Sequence, residues 1–210
     1  MHTATMHVDR LFKVLVVGDP VVGKTSFVQR FVHDVYTRHY RATVGVDFAL
    51  KIIQWSETET VRLQLWDVAG QERFTSMTRL YYKDAAGCIV IFDVASLPSF
   101  HNCLKWKRDL DSKAFLPDGR PIPCILLANK SDLPDWAVSR AEIEQFSRDS
   151  GFLGWAETSV KMNHNITESI RVLVEEMLCV GGAGEPSHLS DGGYLQLGTE
   201  DAGKKPRRCC

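Results

Sequence analysis

No apolar run in this chain approaches the length of a bilayer. The longest, at 87–92 and 122–128, are strand-sized against the ~20 residues of a spanning helix, so no segment is expected to cross a membrane. Neither sign of charge is in excess: 25 Lys and Arg stand against 26 Asp and Glu, interleaved along the chain. That balance leaves no basic footprint for nucleic acid, and no nucleic-acid partner is expected. Cysteine and histidine are not grouped. Cys88, Cys103, Cys124 and Cys179 are dispersed among apolar neighbours and the seven histidines run scattered from His2 to His188, so the four thiols read as reduced and no zinc-like cluster is expected. Met1-His2-Thr3-Ala4-Thr5 carries neither an apolar signal region nor a second-position glycine for myristoylation, which reads as a cytosolic front end. The length of 210 residues suits one well-buried core and is short for two ordinary domains with a tail.

What is present alternates. Apolar strand-like segments recur at 11–17, 46–54, 61–66, 87–92, 122–128 and 152–156, and helical patterns at 24–32, 75–82, 98–111, 139–150 and 167–179 lie between most of them. This order predicts an α/β domain with a mainly parallel sheet, helices on both faces, and binding loops at the carboxyl ends of the strands. Only the polar stretch 55–60 separates the second segment from the third, so those two should form an antiparallel hairpin. The expected organisation is a short extension at 1–10, a domain at 11–180 and a flexible tail at 181–210. The tail opens on Gly181-Gly182-Ala183-Gly184 and is small and polar apart from Tyr194-Leu195-Gln196-Leu197, a composition that buries too little surface to order itself.

Three loops at predicted strand ends carry chemistry. Gly18-Asp19-Pro20-Val21-Val22-Gly23-Lys24-Thr25 fits GxxxxGK[ST] at every specified position. A strand, a glycine-bearing turn and a helix start aim backbone N–H groups and a positive helix terminus at one spot, where an anion belongs. Lys24 is expected to reach the β and γ phosphates of a nucleotide, and the Thr25 hydroxyl to complete a Mg²⁺ shell. In Asp67-Val68-Ala69-Gly70-Gln71 the carboxylate is expected to hold Mg²⁺ through water, Gly70 to offer its N–H to the γ-phosphate, and Gln71 to orient an attacking water. A lone Gln reads as an ordinary exposed amide; its place after a strand, in a chain with a phosphate loop, reverses that preference. In Asn129-Lys130-Ser131-Asp132 the Asp132 carboxylate can accept from both N1–H and the 2-amino group of guanine. Adenine lacks that donor pair, so the loop selects GTP over ATP and argues against a small-molecule kinase. Asn129 is expected to tie the base loop to the phosphate loop, and the Lys130 stem to cover the base.

With Ala42-Thr43-Val44-Gly45 and Glu157-Thr158-Ser159-Val160-Lys161, these motifs together resemble the Ras superfamily of small GTPases. Val46-Asp47-Phe48, Gln71-Glu72-Arg73-Phe74 and Arg79-Leu80-Tyr81-Tyr82 are similar to its Rab branch, and the likeness covers residues 8–180 with the terminal cysteines. The resemblance implies a P-loop GTPase fold: a mostly parallel sheet built from the six apolar segments, with one antiparallel strand and helices on both faces. It implies that Asp19, Pro20, Val21, Val22, Gly23, Lys24, Thr25 and Ser26 line the phosphates, and that Thr43 joins Thr25 and Asp67 at Mg²⁺. Thr43 would sense the γ-phosphate, its loop ordering with GTP and relaxing after hydrolysis. Tyr36 stands where the family usually has a phenylalanine edge-on to guanine, and Ser159, Val160 and Lys161 support the base mainly through backbone. Gln71 and Lys24 are the implied catalytic residues. Phe48, Trp66 and Tyr81 match an aromatic trio that Rabs present to effectors, and Thr75 and Ser76 are candidate phosphosites. Pro20 and Val21 depart from the small residues usual at their positions, and no loop arginine is placed as a cis finger. Hydrolysis is therefore expected to be slow without an activating protein.

Cys209-Cys210 resembles the double-geranylgeranylation site of Rabs, where two chains give the stable anchoring that one does not. Lys204, Lys205, Arg207 and Arg208 would add roughly 1 kcal/mol each near an anionic leaflet. The implied partners are guanine nucleotide, an exchange factor, an activating protein, a dissociation inhibitor, an escort protein with its prenyltransferase, and effectors including a leucine-rich-repeat kinase. The implied setting is the cytosolic face of trans-Golgi and endolysosomal membranes, with a soluble pool. The expected function is a GTP/GDP switch of vesicle traffic; the rival is a GTP-dependent binding module with negligible hydrolysis.

Overall fold

Side chains alternate across β1 (Val8–Val17): Val14 and Val16 enter one apolar cluster, Leu15 and Val17 the other, the period of two of a strand covered on both faces. The computed structural model, which describes residues 6–37, 43–71, 78–181 and 195–197, continues with α1 (Lys24–His33), β2 (Val46–Gln54), β3 (Glu59–Val68), α2 (Thr78–Tyr82), β4 (Gly87–Asp93), α3 (Leu97–Asp111), β5 (Cys124–Asn129), α4 (Arg140–Asp149), β6 (Gly154–Thr158), α5 (Ile166–Gly181) and β7 (Leu195–Leu197). The strand order is β2-β3-β1-β4-β5-β6-β7. Every neighbouring pair is parallel except the hairpin β2–β3, as the short polar connection predicts.

One face is covered by Phe27, Val28 and Phe31 of α1 and by Ile170, Leu173, Val174 and Met177 of α5; the other carries Phe100, Cys103, Trp106 and Leu110 of α3 and Ile143 of α4. β4 and β5 are buried on both faces apart from Asp93, which is why they read as unbroken apolar runs. Ser96 caps α3 by accepting from the Ser99 amide, and Ser139 with Glu142 forms a capping box at α4. Among the described residues α1 has no side-chain cap, so its first amides lack the partner that a capping side chain supplies. Parallel pairing brings the carboxyl ends of β1, β3, β4, β5 and β6 to one edge, where the three motif loops emerge.

The six expected strands are present, and the differences lie at their ends. β1 begins at Val8, inside the stretch read as an extension, because Val8 to Arg10 pair with β3 while Arg10–Glu59 (3.2 Å) and Arg62–Asp9 (2.6 Å) bridge the same strands. β5 and β6 start later than read and run into the polar motifs, to Asn129 and Thr158, because neighbouring strands continue the ladder. Residues 75–77 of the predicted second helix lie outside the described residues. β7 falls within the stretch read as tail and pairs in parallel with β6, Gly154 to Leu195 through Ala156 to Leu197. It takes up backbone groups that would otherwise stand open on an edge strand. Cys88, Cys103 and Cys124 are buried free thiols. Cys179, read with them, differs in that it sits partly exposed in the last turn of α5. Among the described residues no helix is long and apolar enough to cross a membrane.

If β7 protects the β6 edge, deleting residues 191–210 should speed amide exchange in 154–156 by about tenfold, leaving β5 unchanged. Unaltered protection there would show that β6 does not rely on this pairing.

Candidate functional site

The loop from Gly18 to Thr25 is shaped by two backbone choices. Gly23 has φ 101° and stands where a Cβ would fall 2.5 Å from the Asn129 amide nitrogen, so only glycine admits that side chain. Val21 adopts φ 68°, a left-handed conformation costly for a β-branched residue. Lys24 opens α1 with 6 % of its surface exposed, and its Nζ donates to the carbonyls of Gly18 (3.0 Å) and Asp19 (2.8 Å). Burial pushes the ammonium down to about 8, against the opposing pull of the Asp67 and Asp19 carboxylates. A buried cation stands in the first turn of a helix that has no side-chain cap, the donor set an oxyanion requires.

Beside it, three oxygens from separate elements meet. The Thr25 hydroxyl donates to Asp67 Oδ2, the Thr25 and Thr43 hydroxyls are 2.8 Å apart, and Thr43 lies 3.4 Å from the same Oδ2. Asp67 is 2 % exposed, and its Oδ1 is buried without a partner among the described residues. Burial raises its pKa, opposed by the Thr25 hydrogen bond and the Lys24 charge and reinforced by Asp47. A buried carboxylate with an orphan oxygen and two hydroxyls suits a hard divalent cation, and Thr25, Thr43 and Asp67 fit that group.

The third loop is locked to the first. Asn129 donates from Nδ2 to the Val22 carbonyl (2.8 Å), and its Oδ1 accepts from the Thr158 hydroxyl (3.4 Å). Lys130, at φ 65°, extends its ammonium to Asp93 (2.6 Å). Asp132 accepts from the Ser159 hydroxyl (2.6 Å) and from Lys161 Nζ (3.3 Å). Burial works against the Asp132 carboxylate, but these two donors hold it below the usual range, so it is an ionised acceptor. Val160 is buried, its carbonyl taken by Arg30 Nε (3.0 Å). Asp93 belongs to no sequence pattern used above, and Thr158 stands inside the Glu157–Lys161 motif with no role of its own assigned there. Their only signal was a position at a strand's carboxyl end.

Gly70 packs on the phosphate loop, where an added Cβ would fall 2.3 Å from the Pro20 nitrogen and 2.5 Å from the Asp19 carbonyl carbon. Gln71 and Pro20 are exposed and Ser26 is partly so. Tyr36 has its ring 5.8 Å from the Arg30 guanidinium carbon. Phe48 is 75 % exposed and its ring centroid is 6.3 Å from that of Trp66; Trp66 and Tyr81 are half-buried against the α3-side core. Thr75, Ser76, Cys209 and Cys210 lie outside the described residues.

Two outcomes are expected from this geometry. The folded Lys24 value of about 8 lies below the unfolded ~10.4, so the ligand-free fold binds fewer protons than the unfolded chain between them and gains stability as pH rises through that window. Relative to Lys24→Met, ligand-free wild type should gain about 1–2 kcal/mol between pH 8 and 10 in urea titrations; parallel curves would refute the buried charge. Replacing Val21 by glycine removes the left-handed strain and should raise the melting temperature by about 2–4 °C, the equivalent of ~1 kcal/mol in a domain of this size. An unchanged or lower Tm would mean that the loop carries no such strain.

Residues 13–179 match the Ras family. The chain is 60 % identical over 192 residues to Ras-related protein Rab-7L1 of Rattus norvegicus, covering 91 % of this chain and 94 % of that one. It is 59 % identical over 194 residues to Rab-7L1 of Homo sapiens, covering 92 % and 96 %, and 52 % identical over 204 residues to Ras-related protein Rab-32 of Mus musculus, covering 96 % and 91 %. The chain belongs to the Ras family, in the Rab branch of small GTPases, the GTP-hydrolysing switches of membrane trafficking.

Proposed function

We propose that the five-strand edge holds one guanine nucleotide with Mg²⁺ and reads its γ-phosphate as a signal at a membrane. The observation that carries the reading is the Asn129–Val22 hydrogen bond: it joins the guanine-selecting acceptor Asp132 to the phosphate loop in one rigid unit. Asp19 to Ser26 line the phosphates, with Lys24 exchanging the loop carbonyls for phosphate oxygens as the ligand enters. Thr25, Thr43 and, through water, Asp67 hold Mg²⁺, which when bound neutralises charge between the β and γ phosphates. Asp132 accepts from guanine, Lys130 and Tyr36 flank the base, and Ser159 to Lys161 support it. Gly70 offers its N–H to the γ-phosphate and Gln71 orients the attacking water.

Phe48, Trp66 and Tyr81 present the nucleotide state to effectors, a leucine-rich-repeat kinase among them. Geranylgeranyl groups on Cys209 and Cys210 hold the switch on the cytosolic face of trans-Golgi and endolysosomal membranes. Exchange factor, activating protein, dissociation inhibitor and prenylation escort act on the same cycle, and phosphate on Thr75 or Ser76 retunes partner choice.

One observation favours the rival, a binding module with negligible turnover. Pro20 sits on Gly70 with no space between, and Val21 beside it is left-handed, so a partner's arginine finger meets a crowded entrance. Single-turnover hydrolysis of GTP, with and without cell extract, separates the two. The switch gives a slow intrinsic rate that extract accelerates at least tenfold and that Gln71→Leu abolishes; the module gives retained GTP in both conditions.

A further inference from the structure

Asp19 carries a side chain that the phosphate-loop chemistry does not use. Lys24 takes its backbone carbonyl at 2.8 Å, whereas its carboxylate accepts from α3: Asn102 Nδ2 donates to Oδ2 at 2.5 Å and Trp106 Nε1 to Oδ1 at 3.0 Å. The two donors are four residues apart and so share one helix face. Trp106 is fully buried, in the cluster that also holds Phe100, Cys103 and Leu110, so the donor it presents is fixed by packing. The same Asp19 abuts Gly70, whose missing Cβ leaves room for the Asp19–Pro20 peptide. One residue therefore touches α3 through its side chain, Lys24 through its carbonyl and Gly70 through its peptide.

We propose that Asn102 and Trp106 are positioning residues for the phosphate loop, acting through the Asp19 carboxylate to hold its carbonyls on Lys24 and its peptide against Gly70. The proposal rests on the nucleotide-site reading above. A carboxylate bound by two directed donors is set in place more firmly than a neutral acceptor, and an ångström of drift in a loop that binds through backbone N–H groups is costly. The sign of the effect is informative. A carboxylate near phosphates repels them, so if charge alone mattered, removing it would slow nucleotide release. If position dominates, losing the α3 tie speeds release.

The test is release of a fluorescent GDP analogue from full-length protein in Mg²⁺, with the ADP analogue as control. Asn102→Asp keeps the volume and sets two carboxylates face to face; release should quicken at least tenfold. Asn102→Ala, half-exposed and tolerant of truncation, should quicken it about fivefold, and adding Asp19→Ala should bring little more than Asp19→Ala alone. The exchanged pair Asp19→Asn with Asn102→Asp restores a donor and an acceptor in reversed direction, and should return release to within about threefold of wild type. Wild-type release from Asn102→Asp, or an exchanged pair as fast as Asn102→Asp alone, overturns the positioning role. A wild-type chain that holds the GDP and ADP analogues equally overturns the nucleotide-site reading beneath it.

Discussion

The hydrogen bond from Asn129 to the Val22 carbonyl is the contact on which the rest of the functional edge depends. It crosses 107 residues of sequence, is buried, and spans 2.8 Å. Its donor occupies the space that a Cβ on Gly23 would fill. Without it the loop after β5 and the loop after β1 are two separate turns at the end of a sheet. With it, the acceptor at Asp132 and the ammonium at Lys24 are held at one separation, so a single ligand with a base at one end and phosphates at the other can be read as a whole. Thr158, bonded to the other end of the same amide, keeps it from turning over.

Around that joint the edge is electrostatically unfinished. Among the described residues, Lys24 is a buried cation that donates to two carbonyls, and Asp67 a buried carboxylate with one oxygen unpartnered. Each is displaced from its ordinary pKa by burial, the cost of keeping a charge out of water. An anion at the first and a cation at the second relieve both costs at once, so binding the two together is more favourable than binding either alone. Asp19 differs in that its carboxylate is already satisfied by α3, which suits a scaffold rather than a ligand-facing group.

Much of the fold was legible in the residues. The alternation of apolar segments marked the parallel sheet, and the short polar connection read at 55–60 marked its hairpin, since both depend on local pattern alone. Element ends were less legible, because strands such as β1 and β6 extend as far as a neighbour offers partners, which no local pattern records. β7 shows this most plainly: Leu195-Gln196-Leu197 has too little apolar surface to announce a strand and becomes one only where β6 lies open beside it. Cys179 likewise reads like the three core thiols and differs from them in accessibility.

At the site, the sequence by itself determined which functional groups are on offer: GxxxxGK[ST] supplies the donors an oxyanion takes, Asp132 a carboxylate acceptor, and Thr25 with Asp67 the oxygens that suit a hard cation. These follow from functional groups and their order, which folding does not change. Only the tertiary structure decided how those groups are held: that Asp93 pairs with Lys130, that Val21 is left-handed, that Pro20 rests on Gly70, and that the phosphate loop hangs from α3 through Asp19. Each of these is a contact between residues remote in sequence or a backbone angle imposed by such contacts. Their energies arise from proximity and burial, which exist only once the sheet has closed.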